Sequence, residues 1–404
     1  MIKVDQALNL VLESINTLPS EEVVLTDSLG RVLAEDIYVK EPIPFLGNSA
    51  MDGYAVKATD TEGATKDEPR ILEVIESIKA GTLALKTLSQ NQAIKIMTGA
   101  PVPESADAIV IVEDTQNQNQ NQVKIFKEAK AQQHIRKSGE DFAKGELAIS
   151  KGTLINAAHA GILASLGKSK VKVTRKPKVA ILATGDEIID VDAHFEPGKL
   201  RSSNTYSLYS QVIKSGGLPK NLGIVADDPD ELEEKIKQGL DCDLILSSGG
   251  VSMGDYDLVK SVLIKLGTDI KFHKVAQRPG KPLIFGLIKG KPILGLPGNP
   301  VSSMVVFEIF ARAVIFRMLG KSLEETKIVE AILEEDLTKK KNLRYFLRAQ
   351  TRWEKGAYLT KTTGPQGSGI LKSMMLANSL MILSEDQEFI KKGTKVPVRF
   401  LDLE

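Results

Sequence analysis

Six carboxylates stand just behind short apolar runs: Asp186 and Glu187, Asp227 and Asp228, Asp255 and Asp257. Carboxylates so placed can hold a hard cation such as Mg²⁺ through oxygen. Around them lie turns of glycine and small polar residues: Thr184 with Gly185, Ser248-Gly249-Gly250 continuing to Ser252, and Pro297-Gly298-Asn299. Glycine lets a ligand approach the main chain, and a strand–turn–helix passage aims backbone N–H groups at an anion. A cation held over a phosphate or pyrophosphate is the chemistry these residues permit. A βα turn without a ligand uses the same residue types, so no single turn decides the matter. A second set is cationic and hydroxylic. Arg278, Lys281, Arg344, Arg348 and Ser368 suit a compact tetrahedral oxyanion. Arg278-Pro279-Gly280-Lys281 is the clearest of these, because proline stiffens the loop that presents the charge. Chemistry of the phosphoryl type needs positioning and charge neutralisation more than a nucleophilic side chain.

Other chemistries are disfavoured. One cysteine, Cys242, and four histidines leave little for thiol, triad or Cys-rich metal sites. The patterns G-x-x-x-x-G-K-[ST], H-E-x-x-H and G-x-S-x-G are absent. Lys+Arg 53 against Asp+Glu 52 leaves a formal charge of +1, so no field recruits nucleic acid or an anionic membrane. The start, Met1-Ile2-Lys3-Val4-Asp5, has no secretory pattern, and the cysteine usage suits a cytoplasmic protein. Val301–Leu319 carries Glu308, Arg312 and Arg317, so it reads as a buried helix and not a membrane span. It is apolar nearly all round and needs a cover, which predicts a homodimer.

The elements that must position these groups follow from periodicity. Val4, Leu8, Val11, Ile15 and Leu18 predict an amphipathic helix ending near Pro19. Val23–Val39 reads as strand, with a turn at Ser28-Leu29-Gly30. Glu41–Ala55 is a shaped loop that leads into a strand, since its prolines and glycines forbid a helix. Short β-branched runs from Ile71 to Glu113 predict a small β-rich domain. The Gln/Asn tract at 116–122 reads as a solvated hairpin tip. Arg136 to Asp141 packs both signs of charge around Gly139. From Val179 onward, strands and helices alternate. That predicts a doubly wound, mostly parallel α/β sheet whose carboxyl ends bring the polar turns to one edge. From Glu330 the pattern is β again. The expected division is an N-terminal helix (1–22), a linking domain (23–45 with 140–167), a small β-rich domain (46–139), an α/β domain (168–326) and a C-terminal β domain (327–404). The fold class is α/β and β, multidomain.

Seven motifs occur in order: Asn48-Ser-Ala-Met-Asp-Gly-Tyr54, Met97-Thr-Gly-Ala-Pro-Val-Pro103, Gly139-Glu-Asp141, Thr184-Gly-Asp-Glu187, Ser248-Gly-Gly-Val-Ser252, Pro279-Gly-Lys-Pro282 and Leu296-Pro-Gly-Asn-Pro300. Together they resemble the MoeA / gephyrin E-domain family, the molybdopterin molybdenumtransferases, over essentially the whole chain. The resemblance implies a MogA-like α/β domain with small β-rich domains on either side. It also implies Mg²⁺-dependent insertion of molybdate into adenylylated molybdopterin, with release of AMP. The family works as a homodimer whose partner completes each active-site cleft, with a molybdopterin adenylyltransferase as substrate donor. By the same resemblance, Asp52, Thr98, Arg136 and Asp141 belong to the cleft wall of the small domains. Glu187, Asp227, Asp228 and Asp255 lie near nucleotide and metal. Arg278, Lys281, Ser302, Arg348 and Ser368 form the molybdate pocket. Arg278 stands where the family often has lysine, and Gly47 where an acidic residue often precedes Asn-Ser. Rival readings are an adenylyltransferase built on the α/β domain alone, or a non-catalytic scaffold.

Overall fold

The structure is a computed structural model that describes residues 1–250, 258–322 and 328–401. Ser252, Asp255 and Asp257 lie outside the described residues. The chain divides into two compact units, Val23–Val171 and Met1–Glu22 with Lys172–Glu404. Helix α1 (Val4–Glu13) opens the second of these and stops short of the expected Pro19. There Ser14 turns its hydroxyl back onto the Leu10 carbonyl, a bond that competes with helical pairing. Ile15 stays buried beyond the helix end, which is why the apolar spacing outruns it.

Unit 23–171 is built on a six-stranded sheet. Its labelled strands are β1 (Asn48–Ser49), β2 (Gly53–Val56), β3 (Arg70–Ile78), β4 (Gln92–Ile96), β5 (Ala108–Ile111), β6 (Thr115–Asn119), β7 (Gln122–Ile125) and β8 (Ile135–Arg136). The sheet order is β5-β2-β4-β3-β7-β6, and β1 pairs separately with β8. Alternation fixes the faces: Tyr54 and Val56 pack with Leu72, Val110 and Val123, whereas Ala55 packs with Ile78, Ile94 and Ile109. The Gln/Asn tract forms the exposed β6–β7 edge hairpin, as its polarity predicts. It also has a structural contact, because Asn117 Oδ1 accepts from the buried Tyr54 hydroxyl at 2.7 Å. Of the strand expected over Val23–Val39 with a turn at Ser28-Leu29-Gly30, the turn is present, with the Arg31 N–H donating to Ser28 O at 3.0 Å, but a 3₁₀ turn occupies Leu25–Asp27 and strand resumes only at Ile37–Tyr38. Residues 23–45 and 140–167 pair with each other, Ile37–Tyr38 against Leu147–Ile149 and Ile43 against Phe142. Helix α2 (Ala157–Ser165) begins on an Asn156–His159 capping box.

The second unit contains β9 (Lys178–Thr184), α3 (Ser203–Lys214), β10 (Leu218–Val225), α4 (Pro229–Gly239), β11 (Leu244–Ser248), α5 (Leu258–Lys265), β12 (Asp269–Lys274), β13 (Gln277–Arg278), β14 (Pro282–Ile288) and β15 (Lys291–Leu296). The sheet order is β10-β9-β11-β15-β14-β12, parallel from β10 to β15 and antiparallel at the β14 and β12 end. Both faces are covered: Val179 and Ile181 pack toward α1, α3 and the long C-terminal helix, and Ala180 and Leu182 toward α4 and α5. That long helix runs as α6 (Pro300–Val306), a π turn at Phe307–Ala311 and α7 (Arg312–Leu319). Its own chain covers it, through Val4, Val11, Phe272, Phe346, Leu380 and Leu401. This corrects the expectation that a partner subunit must cover it. Glu308 is buried inside the same layer and is compensated by Arg312 at 2.9 Å and Gln211 at 3.0 Å.

The C-terminal strands β16 (Ile328–Leu333), β17 (Arg344–Glu354), β18 (Ala357–Thr362), β19 (Ser379–Leu383) and β20 (Lys395–Phe400), with α8 (Leu371–Met375), complete the unit. The pairings β17–β18–β16–β20–β19 return to β17 and close a small barrel. Strand β13 adds to it in parallel, with Arg278 opposite Tyr345.

The motif glycine Gly53 has a packing cause. A Cβ there would lie 2.0 Å from the Val110 carbonyl oxygen across the β2–β5 pairing, and backbone cannot yield locally. Gly53→Ala is therefore expected to destabilise the protein by about 1–3 kcal/mol or more. Urea unfolding would measure this, and an unchanged midpoint would refute it.

Candidate active site

The four parallel strands β10, β9, β11 and β15 end on one edge of the sheet, and their following turns meet there. Thr184-Gly185 follows β9, Asp227 follows β10, Ser248-Gly249-Gly250 follows β11 and Pro297-Gly298-Asn299 follows β15. All of these residues line one cavity of about 1110 Å³. Gly249 (φ 98°) and Gly250 (φ 65°) are required by close approach as well as by dihedral angle: a Cβ on them would meet Thr184 O at 2.3 Å and Thr184 Oγ1 at 2.8 Å. Gly298 lies against Gly249, where a Cβ would reach Gly249 Cα at 3.5 Å, an ordinary contact.

Asn204, in the first turn of α3, ties two of these turns together. Its Nδ2 donates to Ser248 Oγ at 2.7 Å and to the Gly298 carbonyl at 2.8 Å. Because a carbonyl can only accept, the amide orientation is fixed. Asn204 Oδ1 and Thr184 Oγ1 are buried at the cavity wall without a protein partner among the described residues. Ser202, Ser203 and Arg201 line the same wall. The sequence reading passed over these residues. Ser-Ser-Asn directly before an apolar-periodic helix is a helix-start pattern that could have flagged them.

The carboxylates behave unequally. Glu187 and Asp227 line the cavity, and Asp186 Oδ1 accepts the Asp227 N–H at 3.0 Å. Burial, then the charges of Asp186 and Glu187, push the Asp227 carboxyl above the ordinary aspartate range. Asp228 has a structural job: it caps α4, with Oδ1 accepting from Asp230 N at 2.9 Å and Glu231 N at 2.8 Å. Among the described residues, no group of three His, Cys, Asp or Glu side chains is arranged to hold a metal ion. Of the expected metal set Asp227, Asp228 and Asp255, only Asp227 reaches the cavity among the described residues, with Asp228 turned to its helix and Asp255 outside them.

Around the expected oxyanion residues the structure shows main-chain junctions and one clear exception among the side chains. Gly280 packs on α6, a Cβ there lying 3.5 Å from the Ser302 carbonyl, and the neighbouring Val301 N–H donates to Ser368 O at 3.1 Å. Arg348 is fully buried and holds the 365–373 segment, donating to Gly367 O at 2.9 Å and Ser373 Oγ at 3.0 Å. Burial and the charge of Arg278 push its guanidinium down to about 10. Lys281 has no side-chain hydrogen bond among the described residues. Arg344 is the exception. It forks onto Asp5 at 2.5 and 2.8 Å and reaches Glu385 at 3.1 Å, so its charge is spent on tying α1 to the barrel. Pro282, Pro300 and Gly369, next in chain to Lys281, Asn299 and Ser368, line the same cavity as the glycine turns.

In unit 23–171 the structure joins Asp52 and Thr98. Asp52 Oδ1 accepts from Thr98 N at 2.6 Å and Thr98 Oγ1 at 2.8 Å, and these two bonds hold the exposed carboxyl below its usual range. Arg136 pairs with Asn48 across β8–β1, and the Asp141 N–H donates to Ile43 O at 3.0 Å. The Arg136 and Asp141 side chains are solvent-exposed.

Removing the Asn204 amide leaves the Ser248 hydroxyl and the Gly298 carbonyl without it. Asn204→Ala is expected to lower stability by about 1–3 kcal/mol and to weaken pyrophosphate binding. Denaturant unfolding and a pyrophosphate titration check this, and wild-type values in both would refute the bridging role.

Comparison with known proteins agrees with this architecture. The family model for the MoeA N-terminal region (domain I and II) matches residues 2–167, that for a probable molybdopterin binding domain residues 180–317, and that for the MoeA C-terminal region (domain IV) residues 330–401. The chain is 37% identical over 402 residues to a molybdopterin molybdenumtransferase of Bacillus subtilis, covering 98% of this chain and 93% of the relative. It is 36% identical over 404 residues to molybdopterin molybdenumtransferase 2 of Mycobacterium tuberculosis, covering 98% and 99%. Among solved structures, a molybdopterin biosynthesis MoeA protein of Pyrococcus horikoshii superposes with a TM-score of 0.87 at 32% identity over all of both chains. Identity at this level along the whole length, on top of the site geometry, places the chain in the MoeA family.

Proposed function

We propose that this chain is a molybdopterin molybdenumtransferase that inserts molybdate into adenylylated molybdopterin and releases AMP. The observation that carries the reading is the shared cavity: glycine turns suited to phosphate and the neighbours of Lys281 and Ser368 line one space. A bound phosphoanhydride and a bound oxyanion would then be close enough to react. Thr184, Gly249, Gly250, Gly298 and Asn299 would seat the nucleotide part through backbone N–H groups and hydroxyls. Arg278, Lys281, Ser302, Arg348 and Ser368 would hold molybdate, which is a substrate here. The support is the family resemblance, together with the like charge of Arg278 that acts on the buried Arg348 and that an oxyanion would offset.

Mg²⁺ is assigned on the family resemblance to the carboxylates behind β9 and β10, of which Glu187 and Asp227 line the cavity. Asp186, Asp227 and Glu187 repel one another, and a cation would offset that repulsion and neutralise phosphate charge. Asp255 is assigned to the same role on the family resemblance. Asp52, Thr98, Arg136 and Asp141 are assigned to the reaction on the same basis. The Asp52–Thr98 bonds would keep that carboxylate ionised and aimed. The adenylylated pterin would come from a molybdopterin adenylyltransferase in the cytoplasm. No described helix is long and apolar enough to cross a membrane.

The reaction test is AMP release from adenylylated molybdopterin on adding molybdate, with Mg²⁺ titrated. A charge-assisted hydrogen bond contributes about 1.5–3 kcal/mol, so Lys281→Ala should weaken molybdate roughly 10- to 150-fold and leave AMP binding nearly unchanged. Lost AMP affinity with molybdate untouched would reverse the two sites, and release independent of Mg²⁺ would remove the metal.

The chain is also proposed to be a homodimer, now resting on the family alone because the 301–319 helix is covered from within. Sedimentation at micromolar concentration should give twice the chain mass, and an active monomer would refute it.

A further inference from the structure

Tyr345 lies on β17 directly opposite Arg278 on β13, where the α/β layer joins the barrel. It is 6% exposed, and three groups surround it. The Lys340 N–H donates to its hydroxyl at 3.1 Å. Lys339, buried and tied to the Leu343 carbonyl at 2.9 Å, places its ammonium 5.2 Å from the ring centroid. The Arg278 guanidinium carbon lies 5.6 Å from the same centroid, with Nη1 3.4 Å from the hydroxyl. The ring is therefore locked from the barrel side and offers its π-system to Arg278.

Arg278 needs such a hold. Its side chain is exposed and makes no salt bridge among the described residues, and the charge of the buried Arg348 is of the same sign. Left alone, an exposed guanidinium facing a like charge moves out toward water. Attraction to an aromatic ring opposes that, and a planar guanidinium gains more from it than an ammonium does.

We propose that Tyr345 is a positioning residue: it holds the Arg278 guanidinium in place at the β13–β17 junction, preformed for a tetrahedral oxyanion. This rests on the assignment of Arg278 to molybdate. Tyr345 acts only through Arg278, so its removal affects molybdate and spares the nucleotide end of the cavity. It also makes lysine at 278 a poor substitute.

The experiment is isothermal titration of the full-length protein with molybdate and, separately, with AMP. Tyr345→Leu is expected to weaken molybdate about 2- to 5-fold and leave AMP unchanged. Arg278→Lys is expected to weaken molybdate further, and adding Tyr345→Leu to it should have little extra effect, because the ring then has no guanidinium to hold. Multiplying effects, or equal losses for molybdate and AMP, would overturn the proposal and reduce Tyr345 to packing. Arg278→Ala separates the two levels. If it leaves molybdate affinity intact, the assignment of Arg278 falls and the proposal with it. If it weakens molybdate while Tyr345→Leu does not, only the proposal falls. Should Tyr345→Leu fail to fold, Tyr345→Phe keeps the ring, and the Arg278 Nε–H proton gives the readout. That resonance should be shifted by the ring in both wild type and Tyr345→Phe. Random-coil shift and exchange in the wild type would overturn the proposal.

Discussion

Parallel pairing of β10, β9, β11 and β15 is the constraint on which the nucleotide end of the cavity depends. In parallel register every strand points its carboxyl end the same way, so four turns widely separated in sequence are delivered to one edge. The turns can then pack main chain against main chain. Gly249 and Gly250 approach Thr184 at distances that no side chain would allow. Asn204 fastens the arrangement with one amide shared between two of the turns. The antiparallel end, β14 and β12, contributes differently: it carries the chain from Arg278-Pro279-Gly280-Lys281 into the layer at Pro282.

Charge is distributed against its own preference at two places in this unit. Asp227 is pushed up by burial and by Asp186 and Glu187, and Arg348 is pushed down by burial and by Arg278. A protein optimised for stability alone would separate or pair such groups. Elsewhere in the same unit, charges are paired: Arg344 with Asp5 and Glu385, Arg175 with Asp243, Glu308 with Arg312. The contrast is between charges neutralised inside the fold and charges that are not.

The barrel and the α/β layer share one core, because the helix from Pro300 to Leu319 packs on α1 and the sheet as well as on Phe346, Leu380 and Leu401. Ser368 O and the Val301 N–H close the same junction at the mouth of the cavity. Tyr345 and Arg278 meet there too. The placement of Arg278 thus depends on packing between elements 67 residues apart in sequence.

The sequence by itself determined the alternation that makes the doubly wound sheet, the small β-rich modules and the order of the glycine turns. These are periodic or local signals: β-branched runs, a helix-start pattern, glycines that permit close approach. Asp52 and Thr98 were also legible as motif residues, although the bonds between them were not. Tertiary structure alone decided which charges were free. Arg344 and Asp228 are indistinguishable in sequence from ligand-binding residues, yet one is spent on Asp5 and Glu385 and the other on the first turn of α4. It likewise decided that the apolar helix at 301–319 is covered by its own chain. It brought Asn204 and Tyr345, unmarked in the sequence reading, into contact with the turns and with Arg278. Periodicity reports which face of an element is buried. What lies against that face depends on contacts distant in sequence, and only the folded chain specifies them.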